Sequence, residues 1–226
     1  IDPQIVLHGD GMMMDDMMAV TVTADSVLSD GPGWLVIHAA SAEGGPGPVL
    51  GAALLESGLN TDVTVELEGD ITPVLWPMLH VDTGEVGVYE FGSVEGADGP
   101  VLVNEAVLTF AIDAAPSISY DDVSVEGNVI TVGQALIGDA GWLVIHAEGN
   151  GGPGPVIGQA LLTPGLNKDI AITVDEMGMT ETVFPMLHVD TGEAGVYEFG
   201  MVEGTDGPIS VNGSVVVGPA TPMMSE

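Results

Sequence analysis

The chain has 226 residues, 34 of them acidic against a single Lys and no Arg, and a formal charge of −33. Such a surface repels polynucleotides, phosphate ligands and anionic membranes across an ordinary Debye length. The lack of cysteine removes disulfide staples, thiolate catalysis and the thiolate that a type 1 copper centre needs. With 46% hydrophobic and 15% charged residues the chain still reads as globular, its acids spread over the surface of a cored protein. The counterions for that surface point to a high-salt habitat, divalent-cation screening or an extracellular medium.

The first eighteen residues stand apart. They begin at Ile1 without an initiator Met, as after removal of a leader, and join a short apolar strand, Gln4–Leu7, to His8 and five methionines. Two chemistries suit this composition: thioethers with an imidazole select Cu(I), and methionine fills adaptable apolar grooves. Such packing could be against the chain's own sheet or against a neighbouring subunit; the neighbour is the preferred reading, with Ile5, Val6, Leu7, Met12, Met13, Met14, Met17 and Met18 as a subunit interface. The arm, residues 1–18, is then a possible donor strand, followed by sandwich domains at 19–115 and 116–226.

From Ala19 onward the runs are short, rich in Val and Ile, and broken by Gly, Pro, Asn and Asp, the pattern of an all-β chain. Strands are predicted at Ala19–Ala24, Trp34–Ala39, Val49–Leu54, Asp62–Leu67, Leu75–Val81, Val86–Gly92 and Val101–Ile112. Trp34-Leu35-Val36-Ile37 has no polar face and is expected to be covered on both sides. Asp62 to Leu67 alternates, with Val63, Val65 and Leu67 facing inward. No run approaches the ~18 apolar residues of a membrane span, so no membrane insertion is expected.

The second half repeats the first. Pro77–Gly92 returns as Pro185–Gly200 with one change, Val86 to Ala194, at an offset of 108. Gly33–Ala39 matches Gly141–Ala147 at the same offset, and Ala114-Ala115-Pro116 reads as the junction between two tandem domains. Within the repeated block Glu85-x-Gly87-x-Tyr89-x-Phe91 is similar to an immunoglobulin tyrosine corner, with Phe91 in the place of the core cysteine. Two tandem Ig-like or cupredoxin-like β-sandwiches are the expected fold.

The sets GWLVIHA, GGPGPV, PMLHVDTG and GVYEFG, followed by Asp98-Gly99-Pro100, resemble a repeat domain of unknown function. That domain is found, often in tandem, in secreted and cell-surface proteins of archaea and of bacteria such as the Chloroflexi. The resemblance covers roughly residues 33–103 and 141–211. It implies an extracellular all-β protein and transfers no catalytic residue.

His80-x-Asp82 and His188-x-Asp190 place an imidazole and a carboxylate on one strand face. With His38 or His146 they form a candidate zinc or copper site; the plainer reading is a histidine hydrogen-bonded to its neighbour. Acidic loops offer oxygen donors for Ca²⁺ without an EF-hand pattern. No nucleophile elbow or phosphate cradle is present, and no enzyme is expected. The expected function is an extracellular structural subunit of a surface layer, sheath or filament, a head-to-tail homopolymer built by strand addition through the arm. The alternative is a monomeric surface or periplasmic module that binds copper or calcium.

Overall fold

The computed structural model describes residues 4–14 and 20–224, the first of these segments by its backbone course. Met17 and Met18 of the expected interface lie outside the described residues. The chain divides into two compact units between Asp113 and Ala114. The first contains β1 (Gln4–Met14), β2 (Val20–Ser29), β3 (Gly33–Ala40), β4 (Pro46–Leu55), β5 (Gly58–Leu67), β6 (Val74–Val81), β7 (Leu102–Val103), β8 (Ala106–Val107) and β9 (Ile112–Asp113). The second contains β10 (Ser117–Ile118), β11 (Val123–Glu126), β12 (Val129–Ile137), β13 (Gly141–Gly149), β14 (Gly152–Leu162), β15 (Gly165–Thr173), β16 (Val183–Val189), β17 (Ser210–Val211), β18 (Ser214–Val215) and β19 (Met223–Met224). No helix occurs among the described residues.

Each unit is a β-sandwich. In the first, one sheet runs β1-β2-β5 and the other β4-β3-β6-β9. In the second, β12 is flanked by β15 on one side and by β10 and β11 on the other, and the facing sheet runs β14-β13-β16. The core lies between the sheets. In the first unit Val22, Ala24 and Val65 are buried from one sheet and Leu35, Ile37 and Leu79 from the other. The second unit repeats this with Val132, Ile172, Leu143, Ile145 and Leu187 in one cluster. The alternation of β5 is as expected, with Val65 and Leu67 buried and Thr64 and Glu66 exposed.

The N-terminal segment, expected to dock on a neighbouring subunit, here pairs within its own chain. Gln4–Met14 pairs antiparallel with β2 of its own chain, placing Ile5 opposite Val27, Val6 opposite Ser26, Leu7 opposite Ala24, and Met12 to Met14 opposite Val22 to Val20. Its place is the one β10 and β11 fill in the second unit. Leu28 pairs with Gln4 and Leu136 with Ser117, and these leucines are equivalent under the offset of 108. The first module therefore has a first strand, of different sequence, because a backbone ladder needs N–H and C=O groups and not a particular side-chain pattern.

Two further expectations change. Val86–Gly92 is a looped segment, since Gly84, Gly87, Gly92 and Gly96 all take positive φ between 78° and 94° and turn the chain every few residues. Val101–Ile112 breaks into β7, β8 and β9, with Asn104 and Glu105 at positive φ forming the two-residue turn of the β7–β8 hairpin.

The two sheets approach each other closely where β4 runs past β5. A Cβ on Gly51 would stand 2.0 Å from the Glu66 carbonyl oxygen, and one on its counterpart Gly158 would stand 2.6 Å from that of Thr173. Both contacts are to backbone, which cannot swing aside. Gly51→Ala is therefore expected to lower unfolding stability by ~2 kcal/mol or more, against a change within ~0.5 kcal/mol for Gly31→Ala, whose added methyl meets open space. Urea midpoints of the two variants check this.

Candidate functional site

Strands β3 and β6 pair so that Trp34 stands opposite His80, Val36 opposite Met78, and His38 opposite Trp76. Side chains alternate across a strand, so these six share the face turned away from the sandwich core. That face is dry all the same: Trp34, Val36, His38, Met78 and His80 are all buried. The second unit repeats the arrangement with Trp142, Val144, His146, Phe184, Met186 and His188, every one of them buried.

The cover is the loop that follows β6. Tyr89 meets Trp34 edge-on at 5.3 Å between ring centres, and Phe91 meets His80 edge-on at 4.7 Å. Phe91 is 40% exposed, so it closes the outer face of the sheet and does not enter the core as a tyrosine-corner residue would. Nor does the Tyr89 hydroxyl reach backbone in the manner of such a corner; its recorded partner is His80 Nδ1, at 3.3 Å. Tyr197 and Phe199 repeat these contacts over Trp142 and His188.

One carboxylate holds the loop in place. Asp98 is fully buried, its Oδ1 accepting the Thr83 N–H at 2.8 Å and its Oδ2 the Glu90 N–H at 2.5 Å. Its own N–H donates to Thr83 Oγ1 at 2.9 Å, and its carbonyl accepts from His80 Nδ1 at 2.7 Å. Asp98 adopts φ +46°, a left-handed conformation that Asp tolerates better than most residues and that turns its backbone toward the histidine. Asp206, at φ +47°, makes the same four bonds to Thr191, Glu198 and His188.

The histidine tautomers follow from these partners. A carbonyl oxygen only accepts, so His80 carries its proton on Nδ1 and leaves Nε2 with a bare lone pair. His38 gives its Nδ1 proton to the Gly47 carbonyl at 2.8 Å in the same way, and His146 gives its own to Gly154. Burial is the main cause that lowers the His80 pKa to about 4, and it lowers that of His188 too, so both rings are neutral at pH 7. The same burial pushes the Tyr197 hydroxyl up to about 12, with the Asp206 charge adding to the shift.

The His-x-Asp pairs serve separate groups. Asp82 lies beyond the end of β6, where its Oδ2 accepts the Gly87 N–H at 3.0 Å, and Asp190 accepts likewise from Gly195. The recorded bonds of His80 run to Asp98, Tyr89 and Met78, and none to Asp82. Among the described residues no three His, Cys, Asp or Glu side chains come together as a metal-holding group. Sequence reading passed over Asp98 and Asp206, and also Met78 and Met186. All four recur at the offset of 108, a signal present in the repeat itself.

The chain belongs to the family described as domain of unknown function DUF7282, which matches twice in tandem, at residues 11–113 and 116–222. The first match begins inside β1. Over 222 residues the chain is 28% identical to cell surface glycoprotein 1 of the archaeon Haloarcula hispanica, an alignment covering 89% of this chain and 23% of that protein. The chain thus spans about a quarter of that relative's length.

Replacing Asp98 by Asn keeps size and left-handed tolerance but turns one acceptor into a donor, leaving either the Thr83 or the Glu90 N–H facing an N–H. Asp98→Asn is expected to cost ~1–3 kcal/mol and to open residues 82–98 to protease before the sandwich unfolds. Limited proteolysis with mass mapping, set beside a urea melt, reads both effects.

Proposed function

We propose that this chain is a non-catalytic, two-domain structural segment of an extracellular cell-surface protein. The observation that carries this reading is the likeness to a cell surface glycoprotein along nearly the whole chain, across both domains, within a much longer protein. The site chemistry agrees with it. The most closely repeated residues direct their polar groups to one another: Asp98 to Thr83 and Glu90, Asp82 to Gly87, and Glu90 to Glu85. A catalytic group would instead face a cleft where substrate could reach it.

In the finer form of the reading the domains assemble into a layer, sheath or filament by strand addition through β1. Among the described residues that strand is paired along one side, to β2, so a neighbour's copy could replace it with the same backbone bonds. The pairing within one chain and the pairing between chains differ only in which molecule supplies the strand, the relation that underlies domain swapping.

Electron microscopy of the purified chain at high salt tests the assembly, with ordered arrays or filaments expected. Deletion of residues 1–18 is expected to abolish them, and identical assemblies from the deletion variant would overturn the strand-addition form. The surface charge makes a separate prediction. Self-repulsion at −33 weakens as the Debye length shrinks to ~3 Å at 1 M salt. Raising NaCl from 0.1 to 2 M should therefore lift the thermal midpoint by more than ~5 °C, equivalent to about 1 kcal/mol for a domain of this size.

A further inference from the structure

The outer face of each sheet carries three soft or borderline donors with no hydrogen to share. His38 Nε2 is buried and has no hydrogen-bond partner, and the same holds for His146 Nε2. His80 Nε2 lies 3.3 Å from Met78 Sδ, and His188 Nε2 lies 3.1 Å from Met186 Sδ. Thioether sulfur accepts only, and the Nε2 of a neutral imidazole is a bare lone pair once Nδ1–H is given to a carbonyl. Two acceptors held face to face in a dry site, twice over, become favourable neighbours when a cation lies between them.

The three residues converge. His38 and His80 sit in rows on either side of the Met78–Val36 row, four strand residues or roughly 13 Å apart along the backbone. Their ring centres nevertheless stand only 5.6 Å apart, and those of His146 and His188 only 5.9 Å, so the rings lean over the methionine row from both ends. Each ring is also fixed from behind by a backbone carbonyl on its Nδ1–H, the outer-shell bond that ligating histidines characteristically make.

We propose that each domain binds one soft monovalent cation, Cu(I), through Nε2 of His38, Sδ of Met78 and Nε2 of His80 in the first unit, and through His146, Met186 and His188 in the second. The thioether selects Cu(I) over hard divalent ions. The donor set is neutral, and the nearest buried carboxylate, Asp98, is fully engaged by backbone N–H groups, so a dication would be left uncompensated in a dry pocket. Trp34, Tyr89 and Phe91 shield the site from water.

Silver(I), a redox-silent stand-in, is titrated into the full chain in chloride-free buffer by calorimetry, with ¹H–¹⁵N spectra of the histidine rings recorded in parallel. The expected result is two tight equivalents that shift the Nε2 resonances of His38, His80, His146 and His188. Met78→Leu, a volume-conserving change, should remove one equivalent, Met186→Leu the other, and the double variant both, with the circular dichroism unchanged. Unshifted histidine resonances, or silver retained in full by the double variant through the Met12–Met18 segment, would overturn the proposal. Should a leucine variant fail to fold, the wild-type Nε2 shifts alone decide between the outcomes.

Discussion

Closure of a loop around one buried carboxylate is the constraint on which the rest of each domain depends. A β-sandwich made of two sheets has two outer faces, and in this family member one of them carries Trp34, Val36, Met78 and two histidines, which water would not leave folded in place. The chain covers that face with irregular polypeptide and not with a third sheet or a helix. Irregular backbone can lie over a dry face only if its N–H groups find acceptors, and Asp98 supplies two of them while its carbonyl binds the histidine below. Burying the charge costs desolvation, offset by hydrogen bonds to an ionised acceptor at ~1.5–3 kcal/mol each.

This explains why the repeated block tolerates so little change. Thr83 serves as donor and acceptor to Asp98, and Gly84 sits at φ +94° against the Glu90 carboxylate, where an added Cβ would collide. Glu90 is held through its N–H and in turn accepts from Glu85. Each residue answers to another in the same loop, so a single substitution breaks more than one bond. Val86 is 80% exposed and enters none of these bonds, and it is the one position of the sixteen at which the copies differ.

Much of the framework was legible in the residues. The all-apolar run Trp34–Ile37 announced a strand covered on both sides, and the alternation of Asp62–Leu67 announced one covered on a single side. The nature of the cover was hidden, because Gly-Val-Tyr-Glu-Phe carries a strand-like alternation whose backbone is set by flanking glycines at positive φ. Met78-x-His80 and His80-x-Asp82 have the same spacing on paper, and only the end of β6 at Val81 separates them: Met78 stays on the strand face with the histidine, while Asp82 turns into the loop. The bond that fixes the His80 ring, from Nδ1, runs to a carbonyl eighteen positions away, a distance at which period-two reasoning is silent. The strand at Gln4–Leu7 was legible but its partner was not, since its place beside β2 is set by backbone pairing and its sequence shares little with β10 and β11.

The cover also sets a hierarchy of motion. Thr83 and Asp98 are fifteen residues apart, whereas β2 and β5 join Val20 to Leu67 and β3 and β6 join Gly33 to Val81. Ties between near neighbours in the chain re-form in far less time than long-range strand pairing. Partial opening of such a loop, with the sandwich beneath still folded, would be the lowest rung of that hierarchy. Amide exchange at Thr83 and Glu90 would report that opening, and the same opening would be the way a solute reaches the outer face of the sheet.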